Sequence, residues 1–410
     1  KKIKQKKIEN MKKLLLVLIG GTFFASVHAQ TARIQAIHNS ADAAATTVDV
    51  YLDGNLLIDD FAFRTASPFI DAPAGVPINL AIAPSTSTSV ADAIATFPFT
   101  LTVGETYVLV AEGIVSATGY SPDATTAAGF DIKVYGLGRE SAAITGNTDV
   151  LVHHGATDAP TVDVRERTLG TTVVDDASYA GFAGYLELPT ADYVLDVQTS
   201  DGLTTVASYS APLAGLGLTN QALVVVASGF LNPAANSNGP AFGLWVALPT
   251  GGALVELPSA SAPTARVQVI HNSADAAATS VDVYLDGALL IDDFAFRTAS
   301  AFIDAPATQA ISVAIAPSNS TSVADAIATF PYNLAINETY VLVAEGIVST
   351  TGYSPDATTA AGFDIKVYGL GRENANTVGN TDVLVHHGAT DAPAVDVYES
   401  SVPAGNIVNN

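Results

Sequence analysis

Short runs in which apolar and polar residues alternate recur along most of the chain. Val48–Leu52, Ile78–Ile82 and Phe130–Val134 each place every second side chain on an apolar face. A period of two residues is that of a β-strand with one face in a core. Turn residues such as Asp53-Gly54 and Gly136–Gly138 separate the runs at short intervals. The pattern predicts an all-β fold of antiparallel β-sandwich modules, immunoglobulin-like in the broad sense.

Two segments depart from this alternation. Tyr107–Ala111 is apolar on both faces, which is expected of a central strand that is covered on both sides. Ser89–Thr96 is short and rich in alanine, and its pattern fits a short helix and a strand equally well.

A long internal repeat organises these runs. Residues 33–165 return almost unchanged as residues 266–398, without insertion or deletion. The repeating unit, which spans the distance from residue 33 to residue 266, itself consists of two related halves, since the segment Ile37–Val50 is echoed by Val152–Val164. Such self-similarity is typical of modules in tandem. We predict module 1 at 31–146, module 2 at 147–262, module 3 at 264–379 and the truncated start of a fourth module at 380–410.

The N-terminal residues have the pattern of a targeting segment. Met11 is followed by Lys12 and Lys13, an apolar stretch and a small-residue pattern that ends at Ala29. This order is typical of a secretory signal peptide, here at 11–29, and we interpret residues 1–10 as upstream translation. We therefore expect a secreted or extracellular protein that is associated with the cell surface.

The chain is strongly acidic, with 40 acidic and 17 basic residues and a formal net charge of −23. Nucleic acids and anionic membranes need cationic patches, so neither is an expected partner. The chain has no cysteine, which excludes disulfides and thiolate metal ligands. Beyond the signal peptide no apolar run is long enough for a membrane helix, and we expect no membrane insertion.

Several segments together resemble a known family. Arg33–Asp42, Val48–Gly54 and Phe63–Phe69 resemble the opening of the domain-of-unknown-function 4397 family, and Val152–Val164 matches the same opening. Gly229–Pro258 is similar to the closing strands of such proteins from Bacteroidetes-like bacteria. The resemblance implies tandem β-sandwich modules of a secreted surface protein. It implies no activity, because the family has none that is settled.

One strand carries a candidate binding surface. Alternation from Val48 onward puts Asp49, Tyr51 and Asp53 on one outward face of a strand. An exposed aromatic ring between carboxylates suits a sugar ring, which makes extracellular polysaccharide a candidate partner. The predicted ligand-binding residues are Asp49, Tyr51 and Asp53 with their copies Asp282, Tyr284 and Asp286.

Paired aspartates form a second candidate site. Asp59 and Asp60 recur as Asp292 and Asp293. Calcium is bound by six to eight oxygen ligands, so calcium is the one cofactor that these carboxylates suggest. The alternative is a solvated acidic face whose aspartates accept hydrogen bonds in turns. The sequence leaves both interpretations open.

The remaining candidate chemistry is sparse. His38 ends a strand, and we expect it to be partly buried with its ring bonded to turn backbone. No nucleophile elbow, zinc-protease motif, phosphate loop or dinucleotide fingerprint is present. We therefore predict a non-catalytic structural or adhesive repeat protein that contacts neighbouring cell-surface components. The alternative is an extracellular polysaccharide-binding module that works with or without calcium.

Overall fold

The computed structural model describes residues 30–126, 128–359, 361–398, 400 and 406–408. The predicted upstream segment 1–10 and signal peptide 11–29 lie outside the described residues. Within the described part, the regular structure consists of β-strands and short 3-10 helices. None of the helices found there is long and apolar enough to cross a membrane.

The strands are numbered in chain order. Those up to residue 135 are β1 (Thr31–His38), β2 (Thr47–Leu52), β3 (Asn55–Ala62), β4 (Thr65–Ala66), β5 (Ile70–Pro73), β6 (Pro77–Pro84), β7 (Ala95–Thr100), β8 (Thr106–Glu112) and β9 (Asp131–Tyr135). The next are β10 (Asn147–His154), β11 (Val162–Glu166), β12 (Thr171–Ala177), β13 (Phe182–Pro189), β14 (Asp192–Thr199), β15 (Thr205–Pro212), β16 (Ala222–Ser228), β17 (Gly243–Ala247), β18 (Gly252–Ala253) and β19 (Val255–Glu256).

The second copy of the repeat continues this series. Its strands are β20 (Thr264–His271), β21 (Ser280–Leu285), β22 (Ala288–Ala295), β23 (Thr298–Ala299), β24 (Ile303–Pro306), β25 (Ala310–Pro317), β26 (Ala328–Asn333), β27 (Thr339–Glu345), β28 (Asp364–Tyr368), β29 (Val397–Tyr398) and β30 (Asn406–Val408). The 3-10 helices are Ala43–Ala45, Val90–Asp92, Pro233–Ala235, Ala276–Ala278 and Val323–Asp325.

The chain divides into two compact units. Unit 1 comprises Lys1–Ala159 and Asn220–Glu256, and unit 2 comprises Pro160–Thr219 and Leu257–Asn410. The units are defined by spatial proximity, whereas the four modules are defined by sequence repetition. The predicted module boundaries therefore stay a prediction, and the module names below refer to the sequence ranges.

Module 1, within unit 1, is a sandwich of two sheets. One sheet has the strand order β3-β2-β6-β7, and the other has the order β18-β4-β1-β8-β9, with β5 also paired to β1. The core between them contains Ile34 and Leu109 from the second sheet and Val50, Phe61 and Ile82 from the first. These residues occupy the apolar phase of the alternation, so the predicted all-β sandwich fold is confirmed.

The pairing of β1 with β8 is parallel, with Arg33 opposite Thr106 and His38 opposite Ala111. The other pairings of β1 and β8, to β4, β5 and β9, are antiparallel. The predicted central position of Tyr107–Ala111 is confirmed, because β8 lies between β1 and β9. The parallel pair is a difference from the expected antiparallel sheets, and alternation alone carries no information on strand direction.

Unit 2 contains the same arrangement in module 3. Its sheets have the orders β22-β21-β25-β26 and β23-β20-β27-β28, with β24 also paired to β20. Unit 2 also holds the antiparallel sheet β12-β11-β14-β15, whereas β10, β16, β17 and β19 form adjacent strands in unit 1. The β10–β16 and β20–β27 pairs are parallel, like β1–β8.

The ambiguous segment Ser89–Thr96 is divided between two structures. Ser89 begins the 3-10 helix Val90–Asp92 with a capping box, in which its side chain and that of Asp92 each accept a backbone N–H. From Ala95 onward the chain is strand β7. Both interpretations of the sequence were therefore partly right.

Candidate functional site

The predicted ligand-binding stripe on β2 is not exposed. Asp49 and Tyr51 have only 2% and 5% of their surfaces accessible. Their copies Asp282 and Tyr284 are equally buried. The expectation of an outward face was wrong at these positions, although ligand binding by the wider region stays a prediction.

A covering segment explains this burial. The Tyr51 hydroxyl lies 2.9 Å from Ser87 Oγ, and Ser87 Oγ donates to Asp49 Oδ2 at 2.5 Å. The Tyr51 ring packs with Ala81 and Ala83, and Ala93 closes the cluster. Residues 87–93 therefore lie over the polar face of β2 and turn it into a second interior.

Asp53, the third residue of the stripe, is exposed in the turn after β2. Its Oδ1 accepts the backbone N–H of Asn79 at 2.8 Å, and its φ of 48° lies in the left-handed region that aspartate tolerates. Asp286 accepts the N–H of Ser312 at 2.7 Å in the same way. Each carboxylate is thus engaged in holding a hairpin turn.

The paired aspartates lie next to the buried one. Asp59 and Asp60 are exposed, and Asp49, Asp59 and Asp60 each place a carboxylate oxygen within 4.8 Å of the others. Asp282, Asp292 and Asp293 form the same group in the second copy. These two groups contain the calcium candidates predicted from the sequence, and each adds a third ligand that the prediction had assigned to the sugar site.

The same geometry has a structural role. Asp60 has a φ of 51°, and its N–H donates to Asp49 Oδ1 at 3.1 Å where the register of β2 and β3 shifts. Module 2 repeats it, with Asp176 at a φ of 49° donating to Asp163 Oδ1 at 2.8 Å. A buried carboxylate that accepts the N–H of a bulged residue stabilises the bulge.

The second copy of the group shows a charge effect. Desolvation, followed by the negative charges of Asp282 and Asp293, raises the pKa of Asp292 above that of an ordinary aspartate. Three carboxylates at this distance repel one another, and a bound cation would relieve that repulsion. The group has the oxygen chemistry that calcium prefers, and with one oxygen from each carboxylate it supplies three of the usual six to eight ligands.

His38 is buried with both ring nitrogens near backbone groups, as expected from its position at a strand end. Its Nε2 lies 2.7 Å from the Ala45 carbonyl oxygen, to which it donates, and its Nδ1 accepts the N–H of Ser40 at 3.3 Å. This arrangement fits a neutral ring, and burial lowers the pKa of His38 to about 4 even though the bond to Ala45 opposes the shift. His271 has the same contacts.

A buried polar cluster joins modules 1 and 2 within unit 1. Glu112 Oε2 lies 2.6 Å from His153 Nε2, and both side chains are fully inaccessible to solvent. Asn39 Nδ2 donates to the carbonyl oxygens of Gly155 and Ala227, at 3.3 and 3.2 Å. A Cβ at Gly155 would overlap the Asn39 amide and come within 2.8 Å of Glu112 Oε2, so only glycine fits here.

Arg64 makes the second part of this connection. Its Nε donates to Ser228 Oγ at 3.0 Å, and its Nη2 donates to the carbonyl oxygens of Ser228 and Ala241 at 3.2 and 2.8 Å. The guanidinium also lies over the rings of Trp245 and Phe63, at 4.0 and 4.8 Å from their centroids. Burial lowers the pKa of Arg64 to about 10, with the charge of Glu256 acting in the opposite direction.

Backbone pairing completes the connection. Strand β18 adds to β4, with Gly252 opposite Ala66, and the N–H of Leu254 donates to the Arg64 carbonyl at 2.8 Å. Gln35 Nε2 donates to the Leu248 carbonyl at 2.8 Å. We call residues Ala222–Glu256 the closing segment, and the contacts that it and β10 make with module 1 the module junction.

The junction could not be predicted from the sequence because its residues are far apart in the chain. One signal was present in the repeat. The strand of module 1 that corresponds to β16 ends in Glu112, where β16 ends in Ser228. A carboxylate at the end of a strand that is apolar on both faces needs a partner, since an unpaired buried charge is costly.

Comparisons with known proteins give a family and distant structural similarities. No curated protein sequence matches the chain. The Bacillus anthracis TIE protein is similar at 8% identity and a TM-score of 0.17, over 77% of this chain and 50% of that one. This chain therefore spans about half the length of that protein.

Two other solved structures come from streptococcal virulence factors. One, described as binding alpha-glucan, has 6% identity and a TM-score of 0.16, over 48% of this chain and 92% of its own. The other, family 41 carbohydrate-binding modules described as recognising alpha-glucan, has 9% identity and a TM-score of 0.16, over 48% and 93%. TM-scores this low assign no ligand to this chain.

The sequence profile of one family matches over most of modules 1 and 3. It is described as "Domain of unknown function (DUF4397)" and covers residues 28–129 and 265–398. The second range extends past module 3 into the segment that repeats the start of module 2. Because the two ranges together exceed half of the chain, this protein belongs to the DUF4397 family.

Proposed function

We propose that the chain is a non-catalytic structural or adhesive protein of the cell exterior, in which neighbouring β-sandwich modules are held in fixed contact. The observation that carries the proposal is the module junction. On the outer face of the module 1 sheet, Ile37, Val108 and Val110 are completely buried in unit 1. Hydrogen bonds from Gln35 and Asn39 to carbonyl groups of the closing segment lie along the same face.

The chemistry of the junction favours a load-bearing role. Domains that meet through small polar interfaces move relative to one another, whereas extensive apolar contact suppresses such motion. Here apolar burial is combined with strand pairing between β4 and β18 and with the directional contacts of Arg64. A stiff connection of this kind suits a surface protein that transmits force better than it suits an enzyme that opens and closes.

The buried carboxylates and histidines of unit 1 also favour a non-catalytic role. The buried Asp49 accepts two hydrogen bonds, and His38 is bonded to backbone on both sides of its ring. The Glu112–His153 pair has no accessible surface, so no substrate reaches it. A general acid or base has to come within hydrogen-bond reach of its substrate.

Surface display tests this proposal. The full chain is displayed on a non-adherent bacterium, and attachment to other cells and to solid surfaces is measured under flow. The Arg64→Ala chain, displayed at the same density, is the matched control because it alters the junction and leaves the exposed acidic surface in place. We expect attachment with the native chain and weaker attachment with the variant. Attachment equal to that of cells that display no protein would refute an adhesive role.

The second candidate is calcium-dependent binding of an extracellular polysaccharide. The observation that favours it is the convergence of Asp49 with Asp59 and Asp60, repeated in the second copy. Two exposed carboxylates beside a buried one offer a cation several oxygens from a rigid bulge. A bound cation at this surface would in turn offer coordination sites to sugar hydroxyls.

Calorimetric titration of the full chain with calcium tests this candidate. Changing Asp59, Asp60, Asp292 and Asp293 together to asparagine should abolish binding, whereas Asp123→Asn in an exposed loop should not. A polysaccharide panel is then screened with calcium and with chelator. Absence of calcium binding to the native chain removes this candidate. Tyr51→Ala is not a suitable probe, because a buried ring that is lost destabilises the module itself.

A further inference from the structure

Modules 1 and 3 present almost the same surface in two different states. In module 1, edge strand β4 is paired with β18, and Ala66 is buried. The corresponding edge strand of module 3, β23, pairs with β20 on one side, and both of its residues are exposed. The local sequences Phe63–Ala66 and Phe296–Ala299 are identical, so the difference comes from what lies beside them.

The two equivalent arginines differ in the same way. Arg64 is half-buried and donates to groups of the closing segment, whereas Arg297 is exposed. Among the described residues, Arg297 keeps the local part of the arrangement, its stacking over Phe296 at 4.9 Å. Both residues have left-handed backbone, with φ of 59° and 63°. The Arg297 guanidinium thus stacks on the preceding phenylalanine at nearly the same distance as that of Arg64.

An open cleft takes the place of the covered face. It has a volume of about 650 Å³ and lies between Gln268, Ile270, Val341 and Val343 on one side and the segment from Asn380 to Leu384 on the other. Val341 and Val343 are buried at its base, whereas Ile270 is partly accessible. Ile37, which corresponds to Ile270, is fully buried, whereas Ile270 is only half-buried. Gln268 keeps its bond to the Ser300 carbonyl, which matches the bond from Gln35 to Ser67.

The first half of a junction is already formed on module 3. His386 Nε2 lies 2.7 Å from Glu345 Oε2, as His153 does from Glu112. Arg372 pairs with Asp382 at 2.5 Å, as Arg139 does with Asp149. The segment that follows Gly379 therefore lies against module 3 as β10 lies against module 1.

From these pairs of observations we infer that the open surface of module 3 is a docking surface for the closing segment of a module of the module 2 type, joined in the same chain to residues 380–398. The surface consists of β23, Arg297 and the cleft lined by Gln268, Ile270, Val341 and Val343. The occupant supplies a strand of small residues for β23, two carbonyl oxygens and an indole face for Arg297, and one carbonyl oxygen for Gln268. These are the groups that Gly252–Ala253, Ser228, Ala241, Trp245 and Leu248 supply to module 1.

This inference deepens the proposed structural role, since it explains how a fixed contact is repeated along a chain. Its test measures whether a surface is covered and not whether cells adhere. The docking surface can therefore be confirmed when the test of the adhesive role fails, and the adhesive role can be confirmed when the test of the docking surface fails.

The test extends the full chain with its own sequence. Residues 399–410 are replaced by a copy of residues 166–262, which completes a second module of the module 2 type after Tyr398. Hydrogen–deuterium exchange is measured at β23 and at β27, the strand that carries Val341 and Val343 of the cleft. We expect exchange at Thr298–Ala299 to slow by about tenfold or more, toward the rate at Thr65–Ala66. We also expect Arg297→Ala to remove that protection in the extended chain.

A matched control carries Gly251→Ala in the appended copy. A Cβ at Gly251 in unit 1 would meet the backbone of Ser67 and Pro68, so this copy should fold and yet fail to dock. Protection of the appended strand equivalent to β16 shows that the appended module has folded. If that strand is protected while β23 exchanges as in the parent chain, the inference is wrong. Protection of β23 that rises with the concentration of the parent chain would identify a second copy as the occupant and would equally overturn it.

Discussion

Replacing Arg64 by alanine should open the module junction of unit 1 without unfolding module 1. The guanidinium makes three hydrogen bonds to the closing segment and stacks on Trp245. None of these contacts belongs to the core of module 1, whose residues lie on the other face of the sheet. The variant should therefore lose the coupling between module 1 and the closing segment and keep both sheets.

The structure allows the size of the effect to be worked out. Hydrogen bonds from a charged donor contribute at least about 1.5 kcal/mol each, and stacking of a cation on an aromatic ring contributes about 1 kcal/mol. The gross contribution is then about 5 kcal/mol. Burial lowers the pKa of Arg64 to about 10, which corresponds to a cost of about 2 kcal/mol after solvent screening. A net loss of about 3 kcal/mol raises the opening equilibrium by about 100-fold.

Module 3 supplies the control. Arg297 follows the same phenylalanine, has the same left-handed backbone and stacks on Phe296 at 4.9 Å, but it is exposed. Any effect of placing alanine at a positive φ is therefore shared by the two variants. Arg297→Ala should change stability by no more than about 0.5 kcal/mol, as exposed substitutions generally do.

Hydrogen–deuterium exchange gives the clearest readout. The amide of Leu254 donates to the Arg64 carbonyl and reports opening of the junction, whereas the amide of Leu109 in β8 reports unfolding of module 1. We expect exchange of Leu254 to accelerate by about 100-fold in Arg64→Ala while Leu109 is unaffected. If Leu254 changes by less than about threefold, or by the same factor in both variants, Arg64 does not hold the junction.

Three further outcomes are expected. Burial lowers the pKa of His38 from 6.5 to about 4, so between these pH values His38 is protonated in the unfolded chain and neutral in the folded one. The free energy of unfolding should therefore fall by about 3 kcal/mol as the pH drops through this window. Urea unfolding of His38→Gln should show a flatter pH dependence, and an unchanged slope would contradict this assignment. Asp49→Ala should lower the free energy of unfolding by about 2 kcal/mol because the bulge loses its hydrogen-bond acceptor, while Asp59→Ala should change it by no more than about 0.5 kcal/mol. Equal losses in urea unfolding would contradict the role of Asp49 in stabilising the bulge. Gly155→Ala should lower the unfolding temperature because the new methyl group overlaps the Asn39 amide, and an unchanged temperature would show that the junction is not tightly packed.

Much of the fold could be predicted from local patterns. Alternation locates β2, β6 and β9, and the doubly apolar run Tyr107–Ala111 locates the central strand β8. The position of His38 at a strand end predicted its bonds to turn backbone. These successes share one property, which is that the interactions involved lie within a strand or a neighbouring turn.

The candidate site could not be predicted in the same way. Asp49 and Tyr51 occupy the polar phase of β2, but residues 87–93 cover them, and alternation does not record which polar face is covered. The junction depends on pairs such as Arg64 with Trp245, whose proximity arises only when the sheets have formed. The local sequence therefore predicts the periodicity of one strand, but it does not predict which segment packs over that strand.

The parallel pairing of β1 with β8 has a consequence for how the protein folds. The first strand of module 1 cannot complete its sheet until Thr106–Glu112 is available, and β20 likewise depends on Thr339–Glu345. Sequence-distant pairing of this kind raises the contact order and slows folding. A fragment that ends with module 1 would lack the closing segment and should expose part of the face that carries Ile37, as module 3 exposes part of Ile270. Fragments whose ends are chosen from the repeat alone would therefore expose an apolar, aggregation-prone face.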